Sequence, residues 1–155
     1  MPCIWGQHNG SQLFCPVAIL PPNLGAAAPP NTVLATALID TGATTTGITT
    51  AFATQLQMSP VGIIQIHGVG GAQNHNSHLF LVGFPFAFPP GMPLPAGHPH
   101  PLPEQTAFQL HVLQKVIQGC AFQGGSAPFQ VLLGMDVIST GSLVVQGNGT
   151  FSFSF

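Results

Sequence analysis

The hydrophobic positions of the chain come in short runs separated by small-residue turns. Ile4-Trp5 and Leu13 to Leu20 flank Asn9-Gly10, a strong turn signal that predicts a hairpin. Pro21 to Pro30 reads as a loop and Val33 to Ile39 as a buried strand. Thr49 to Met58 sets Ala51, Phe52, Gln55, Leu56 and Met58 at roughly helical spacing. That predicts one short helix, ended before Pro60. Val61 to His67 then alternates, with Ile64 and Ile66 on one face, and Ser77 to Val82 returns as a partner strand. Between them Gly68, Gly70 and Gly71 can take backbone angles closed to other residues.

The second half is more uneven. Residues 83 to 103 are rich in proline and carry Phe84, Phe86 and Phe88, which predicts an extended surface loop. Thr106 to Gln118 reads as a strand, although Leu113 to Ile117 also fits a helix. Ala127 to Leu133 is a further strand, and Asp136 to Thr140 a single helical turn. Leu143 to Val145 and Thr150 to Phe155 close the chain as a hairpin about Gly147-Asn148-Gly149. The tail alternates perfectly, and in a lone chain it would be an exposed apolar edge strand.

Composition agrees with a strand-rich reading. Sixteen prolines, nineteen glycines and twelve phenylalanines, with no tyrosine, favour strands and turns over long helices. The 155 residues form one expected domain, long enough to bury a core without disulfide or metal. Charged residues make up 3% of the chain, against about 25% in an ordinary domain. Lys115 is the one basic residue besides histidines, and Asp40, Glu104 and Asp136 are the acids. One lysine cannot neutralise a phosphate backbone, so no nucleic-acid partner is expected. It cannot hold an anionic lipid surface either. Leu79 to Gly97 is apolar but interrupted by Pro85, Pro89, Pro90, Pro93 and Pro95, so no membrane span is expected. No basic start precedes an apolar run, and Cys3, Cys15 and Cys120 lack metal-ligand spacing. Both facts point to reduced thiols in a cytoplasmic protein.

Asp40 stands out as candidate chemistry. It ends the apolar strand and is turned by Gly42. Burying a lone carboxylate is costly, so an acid kept there suggests use. A turn aspartate bonding its own backbone is the alternative. Other constellations are weaker. His75 with His78, and His98 with His100, have no nearby carboxylate or cysteine to complete a metal shell. No nucleophile-elbow motif supports a Ser-His-Asp triad. Gly68 to Gly71 is not a phosphate loop, since no lysine follows and no helix starts there. No metal and no cofactor are expected.

Leu38-Ile39-Asp40-Thr41-Gly42-Ala43 resembles the active-site stretch of the retroviral-type (retropepsin-like) aspartic proteases. Val131-Leu132-Leu133-Gly134-Met135-Asp136-Val137-Ile138 resembles that family's second motif. Ile66-His67-Gly68-Val69-Gly70-Gly71 lies between them, where the family has its flap. The resemblance runs from about residue 33 to the end of the sequence. It implies an all-β, closed-sheet, homodimeric domain with one or two short helices and a flap hairpin. The proline-rich stretch at about 83–103 then looks like an insertion, either covering an apolar sheet face or binding a partner.

The family's chemistry needs two carboxylates about 3 Å apart sharing one proton. One activates water and the other bonds the substrate carbonyl. A single Asp-Thr-Gly therefore implies a homodimer with one Asp40 from each chain. By the resemblance Thr41 braces the pair across the dimer and Gly42 leaves room for substrate. Ala43 belongs to the same turn, and Leu133 and Gly134 pack behind it. His67, Gly68, Val69, Gly70 and Gly71 would cover the substrate, and the chain ends would interleave between subunits. Two positions depart from the family. An acid after the active-site triplet and a base after the second-motif glycine usually form an ion bridge, and Thr44 and Met135 stand there instead. Both partners are missing together, so no orphan charge is left. The function implied is an aspartic endopeptidase cutting between apolar residues. The alternative is a dimer of the same fold that serves binding or assembly without cutting.

Overall fold

The computed structural model describes residues 2–23, 32–87 and 109–155. These residues form eleven strands and two short helices. In chain order they are β1 (Cys3–Gln7), β2 (Leu13–Leu20), β3 (Leu34–Ile39), β4 (Gly47–Thr49), α1 (Thr50–Gln55), β5 (Gly62–Gly68) and β6 (Gly71–Ala87). They continue as β7 (Gln109–Val112), β8 (Ile117–Phe122), β9 (Val131–Leu133), α2 (Met135–Ile138), β10 (Ser142–Val145) and β11 (Thr150–Ser154).

The larger sheet runs β2-β3-β9-β4-β8-β6-β5, with β7 paired to β6. A further pairing, Ala18 to Leu20 of β2 against Leu81 to Gly83 of β6, closes this sheet on itself. This pairing covers the outer edge of β2 and wraps the sheet around the core. Val17, Ile39, Ile48, Phe80, Val131 and Leu133 are all buried there. The expectation of a closed, mostly β domain with short helices holds.

Short helices suit these sequences. Thr49 caps α1, its side chain accepting the Phe52 N–H at 3.3 Å, and Phe52 and Ala53 face the core. The helix stops earlier than its spacing suggested, because Gln57 turns to φ 54°. Such a left-handed angle ends helices. Four residues suffice for α2, which buries Val137 and Ile138.

Several expectations are corrected. Asn9-Gly10 does make a turn: the Asn9 side-chain oxygen accepts the Ser11 and Gln12 amides and Gly10 sits at φ 91°. The strands on either side nonetheless part. β1 joins β11, and β2 joins β3 and β6. The loop expected from residue 83 starts later, since β6 continues through Ala87 and Phe84 is fully buried. The rest of that stretch, 88–103, lies outside the described residues, as do Thr106 to Phe108 and residues 24–31. Leu113 to Val116 is a break between β7 and β8, so the ambiguous segment is neither one long strand nor a helix. The strand expected from Ala127 is only three residues long, Val131–Leu133.

The C-terminal strand is not an edge. β11 lies between β1 and β10 in a separate three-stranded sheet. Its alternation puts Phe151 and Phe153 into the core at 1% and 2% exposure. The Phe153 and Phe84 rings meet edge to face at 5.5 Å, tying the small sheet to the large one. Both edges of the tail are satisfied within the chain, so the edge reading is overturned.

Candidate active site

β3, β9 and β4 position the site. β9 runs parallel to β3 and antiparallel to β4, lying between the two. Residues 40 to 46, which connect β3 to β4, must therefore cross the end of β9. Asp40 is the first residue of that crossing, half-buried, at the end of the alternating strand Leu34–Ile39.

Main-chain bonds fasten the crossing loop to the residues after β9. The Asp40 N–H donates to the Leu133 carbonyl at 3.0 Å. The Met135 N–H donates to the Ala43 carbonyl at 2.8 Å, and the Asp136 N–H to the Thr44 carbonyl at 3.3 Å. The loop also folds on itself: the Ala43 N–H reaches the Asp40 carbonyl at 3.2 Å. At Gly134 there is no room for a side chain, as an added Cβ would sit 2.6 Å from the Thr45 carbonyl carbon. The sequence positions Leu133 and Gly134 are thus brought together with Asp40.

The Asp40 carboxylate is oriented by its own turn. Oδ1 accepts the Gly42 N–H at 2.9 Å. Among the described residues Oδ2 accepts no hydrogen bond. The turn-aspartate alternative is therefore met in part, by one oxygen. Thr41 and Gly42 are exposed beside it.

His67 to Gly71 lie at the tip of the β5–β6 hairpin, whose register runs from Gly62–Ser77 to Gly68–Gly71. Gly71 adopts φ 99°, an angle that L residues with side chains rarely take. Val69 at the tip is fully exposed. No hydrogen bond among the described residues joins this tip to the Asp40 loop. The hairpin is anchored at its base, where the His75 Nδ1 bonds the Ala121 carbonyl at 3.1 Å and the Val61 N–H bonds the Ser77 carbonyl at 2.8 Å.

Two site residues escaped the sequence reading. Thr46, fully buried, gives its hydroxyl to Asp136 Oδ1 at 2.6 Å and its N–H to both carboxylate oxygens at 3.0 Å. The signals were an acid two places after the motif glycine and a run of three threonines. A pairing across ninety residues is not visible in either. The Lys115 ammonium donates to the Asp136 carbonyl at 2.8 Å.

A cavity of about 390 Å³ lies elsewhere, bounded by Ile19, Pro21, Val33, Leu56, Met58 and Leu79. It adjoins the start of β3, roughly 20 Å along the strand from Asp40 at the usual rise. It is not part of this site. Among the described residues no three His, Cys, Asp or Glu side chains gather as a metal site, and no helix is long and apolar enough to cross a membrane.

No protein-family model matches the sequence, and none of the curated proteins does. The structure, by contrast, is similar to the crystal structure of a retropepsin-like aspartic protease from Rickettsia conorii, with a TM-score of 0.56 at 13% identity. The match covers 97% of this chain and 89% of that one. The chain has the retropepsin-like fold. At this identity the likeness speaks for the fold alone.

Proposed function

We propose that the chain is an aspartic endopeptidase that works as a homodimer, with one Asp40 from each copy flanking a water. The observation that carries this reading is the state of Asp40: a half-buried carboxylate, one oxygen held by Gly42 and the other taking no hydrogen bond from the described residues, at the loop crossing of a retropepsin-like fold. One carboxylate takes a proton from water as it attacks the peptide carbonyl, and the other bonds the carbonyl oxygen. In this chemistry the two carboxylates share one proton.

The second copy supplies the second carboxylate. Both edges of β11 are occupied, so strand interleaving through the tail does not serve as the contact. The exposed Thr41-Gly42 turn and β10, an outer strand of the small sheet with Val144 and Val145 in solvent, are the surfaces offered instead. Thr41 would brace the pair across the axis, and His67 to Gly71 would close over the substrate. With so few charged side chains, the pockets would select apolar residues by size.

The test is a peptide-library digest at several pH values with the wild type and Asp40→Asn. Cleavage between apolar residues that the variant loses, while its fold persists, supports the reading. A statine-type inhibitor should also raise the melting temperature of the wild type. An intact dimer that cuts nothing and ignores the inhibitor would favour the binding or assembly role.

A further inference from the structure

Asp136 never meets a substrate in the chemistry above, yet its side chain is built into the support of Asp40. A carboxylate only accepts hydrogen bonds, so the Thr46 hydroxyl must spend its single proton on Asp136 Oδ1. That hydroxyl is then free to act as an acceptor, and it takes the Gly134 N–H at 3.0 Å. The direction of the relay is fixed: the Gly134 N–H donates to Thr46, and Thr46 donates to Asp136. The peptide plane joining Leu133 to Gly134 is rigid. On its carbonyl side it receives the Asp40 N–H at 3.0 Å. One plane is therefore held at one end by the relay and holds the Asp40 main chain at the other.

The charge in this relay strengthens each link, because hydrogen bonds to an ionised acceptor are shorter and stronger than neutral ones. Neighbouring bonds also polarise one another. Thr46 is fully buried, so neither its hydroxyl nor the Gly134 amide has water as a substitute partner. Asparagine cannot replace the acid cleanly. It offers one accepting oxygen and an NH₂ group, and the NH₂ would face the Thr46 N–H donor to donor. The relay also stands where the family's ion bridge is missing, since Thr44 and Met135 make only main-chain bonds there.

We propose that Asp136 and Thr46 are positioning residues: through the Leu133–Gly134 peptide they set where the Asp40 main chain lies. The kinetic part of this inference rests on the proteolytic reading, and the structural part does not.

The test compares Thr46→Val, Thr46→Ser and Asp136→Asn with the wild type, by native-state amide exchange and by steady-state kinetics on a peptide the wild type cuts. Thr46→Val keeps the shape and removes the hydroxyl. In it, the Asp40 and Gly134 amides should exchange at least about tenfold faster while those of β1 and β11 stay near their wild-type rates. The kcat should fall about ten- to a hundredfold with KM changed little, the signature of a misplaced reacting group. Thr46→Ser restores the hydroxyl and should recover most of both losses. Asp136→Asn should resemble Thr46→Val, and it carries the comparison if the valine variant does not fold. Wild-type exchange at Asp40 in Thr46→Val would overturn the proposal. Equal acceleration at every amide would do so too, as would equal losses in the serine and valine variants. If the wild type cuts no peptide, the protease reading fails, and the exchange pattern alone decides the role of Asp136 and Thr46.

Discussion

Gly134 and Thr45 meet main chain to main chain. A Cβ on Gly134 would lie 2.6 Å from the Thr45 carbonyl carbon and 2.9 Å from its nitrogen. Backbone on both sides leaves no flexible group to give way. Gly134→Ala should therefore lift the Asp40 loop off β9 and cost about 1–3 kcal/mol, the usual range for overpacking. Urea unfolding measures the loss. An alanine variant as stable as the wild type would show that the crossing is looser than its contacts imply.

If each active unit needs two copies of Asp40, an inactive partner must poison it. Refolding wild type with an equal amount of Asp40→Asn leaves about one quarter of the dimers wholly wild type. Activity per wild-type chain should fall to about half when association is random and mixed dimers are dead. Activity that stays proportional to wild-type chains would mean a single chain suffices.

Alkali should destabilise the protein through its buried thiols. Burial pushes the Cys15 thiol from 9.0 up to about 12. Burial also raises the Cys120 thiol, with the Asp136 charge adding a smaller push and a backbone hydrogen bond opposing it. A thiol is neutral when protonated, so the unfolded chain loses its proton near pH 9 while the folded chain keeps it. The contribution of Cys15 is thus fully present below pH 9 and lost progressively between pH 9 and about 12. The slope is about 1.4 kcal/mol per pH unit for one such group. With no tyrosine and one lysine, little else titrates in that range. Urea melts at pH 8, 9.5 and 11 should show the fall, and Cys15→Ala should flatten it. An unchanged slope in that variant would place the effect elsewhere.

The β5–β6 hairpin turns on one angle. Gly71 sits at φ 99°, so Gly71→Ala should strain the tip by about 1–2 kcal/mol. Gly10, at φ 91°, imposes the same strain in the turn between β1 and β2. Alanine at either site should lower stability similarly, but only at Gly71 should kcat/KM on a peptide change. Equal kinetics in the two variants would remove the tip from substrate handling.

Some of this was written in local sequence. Alternation alone marked Ile64 and Ile66 as the less exposed face of β5, and Phe151 and Phe153 as the inward face of β11. Period-two patterning reports burial directly, whichever strand lies alongside. The Asp40 turn, the glycine hairpin and the closing hairpin were legible for the same reason: each is a contact between near neighbours. Partners were not legible. The Asn9-Gly10 turn is real, yet β1 and β2 leave it for different sheets, because hydrogen bonding along a strand edge is available to any strand that fits. The tail read as an open edge because its two neighbours, β1 and β10, could not be assigned to it from alternation. Residue 83 looked like the start of a loop because proline suggests one, but burial of Phe84 against Phe153 kept the strand going. The Asp136–Thr46 pairing was hidden most completely. A threonine and an aspartate at that distance in sequence carry no mark of each other, and only the passage of the Asp40 loop over the end of β9 brings them within 2.6 Å.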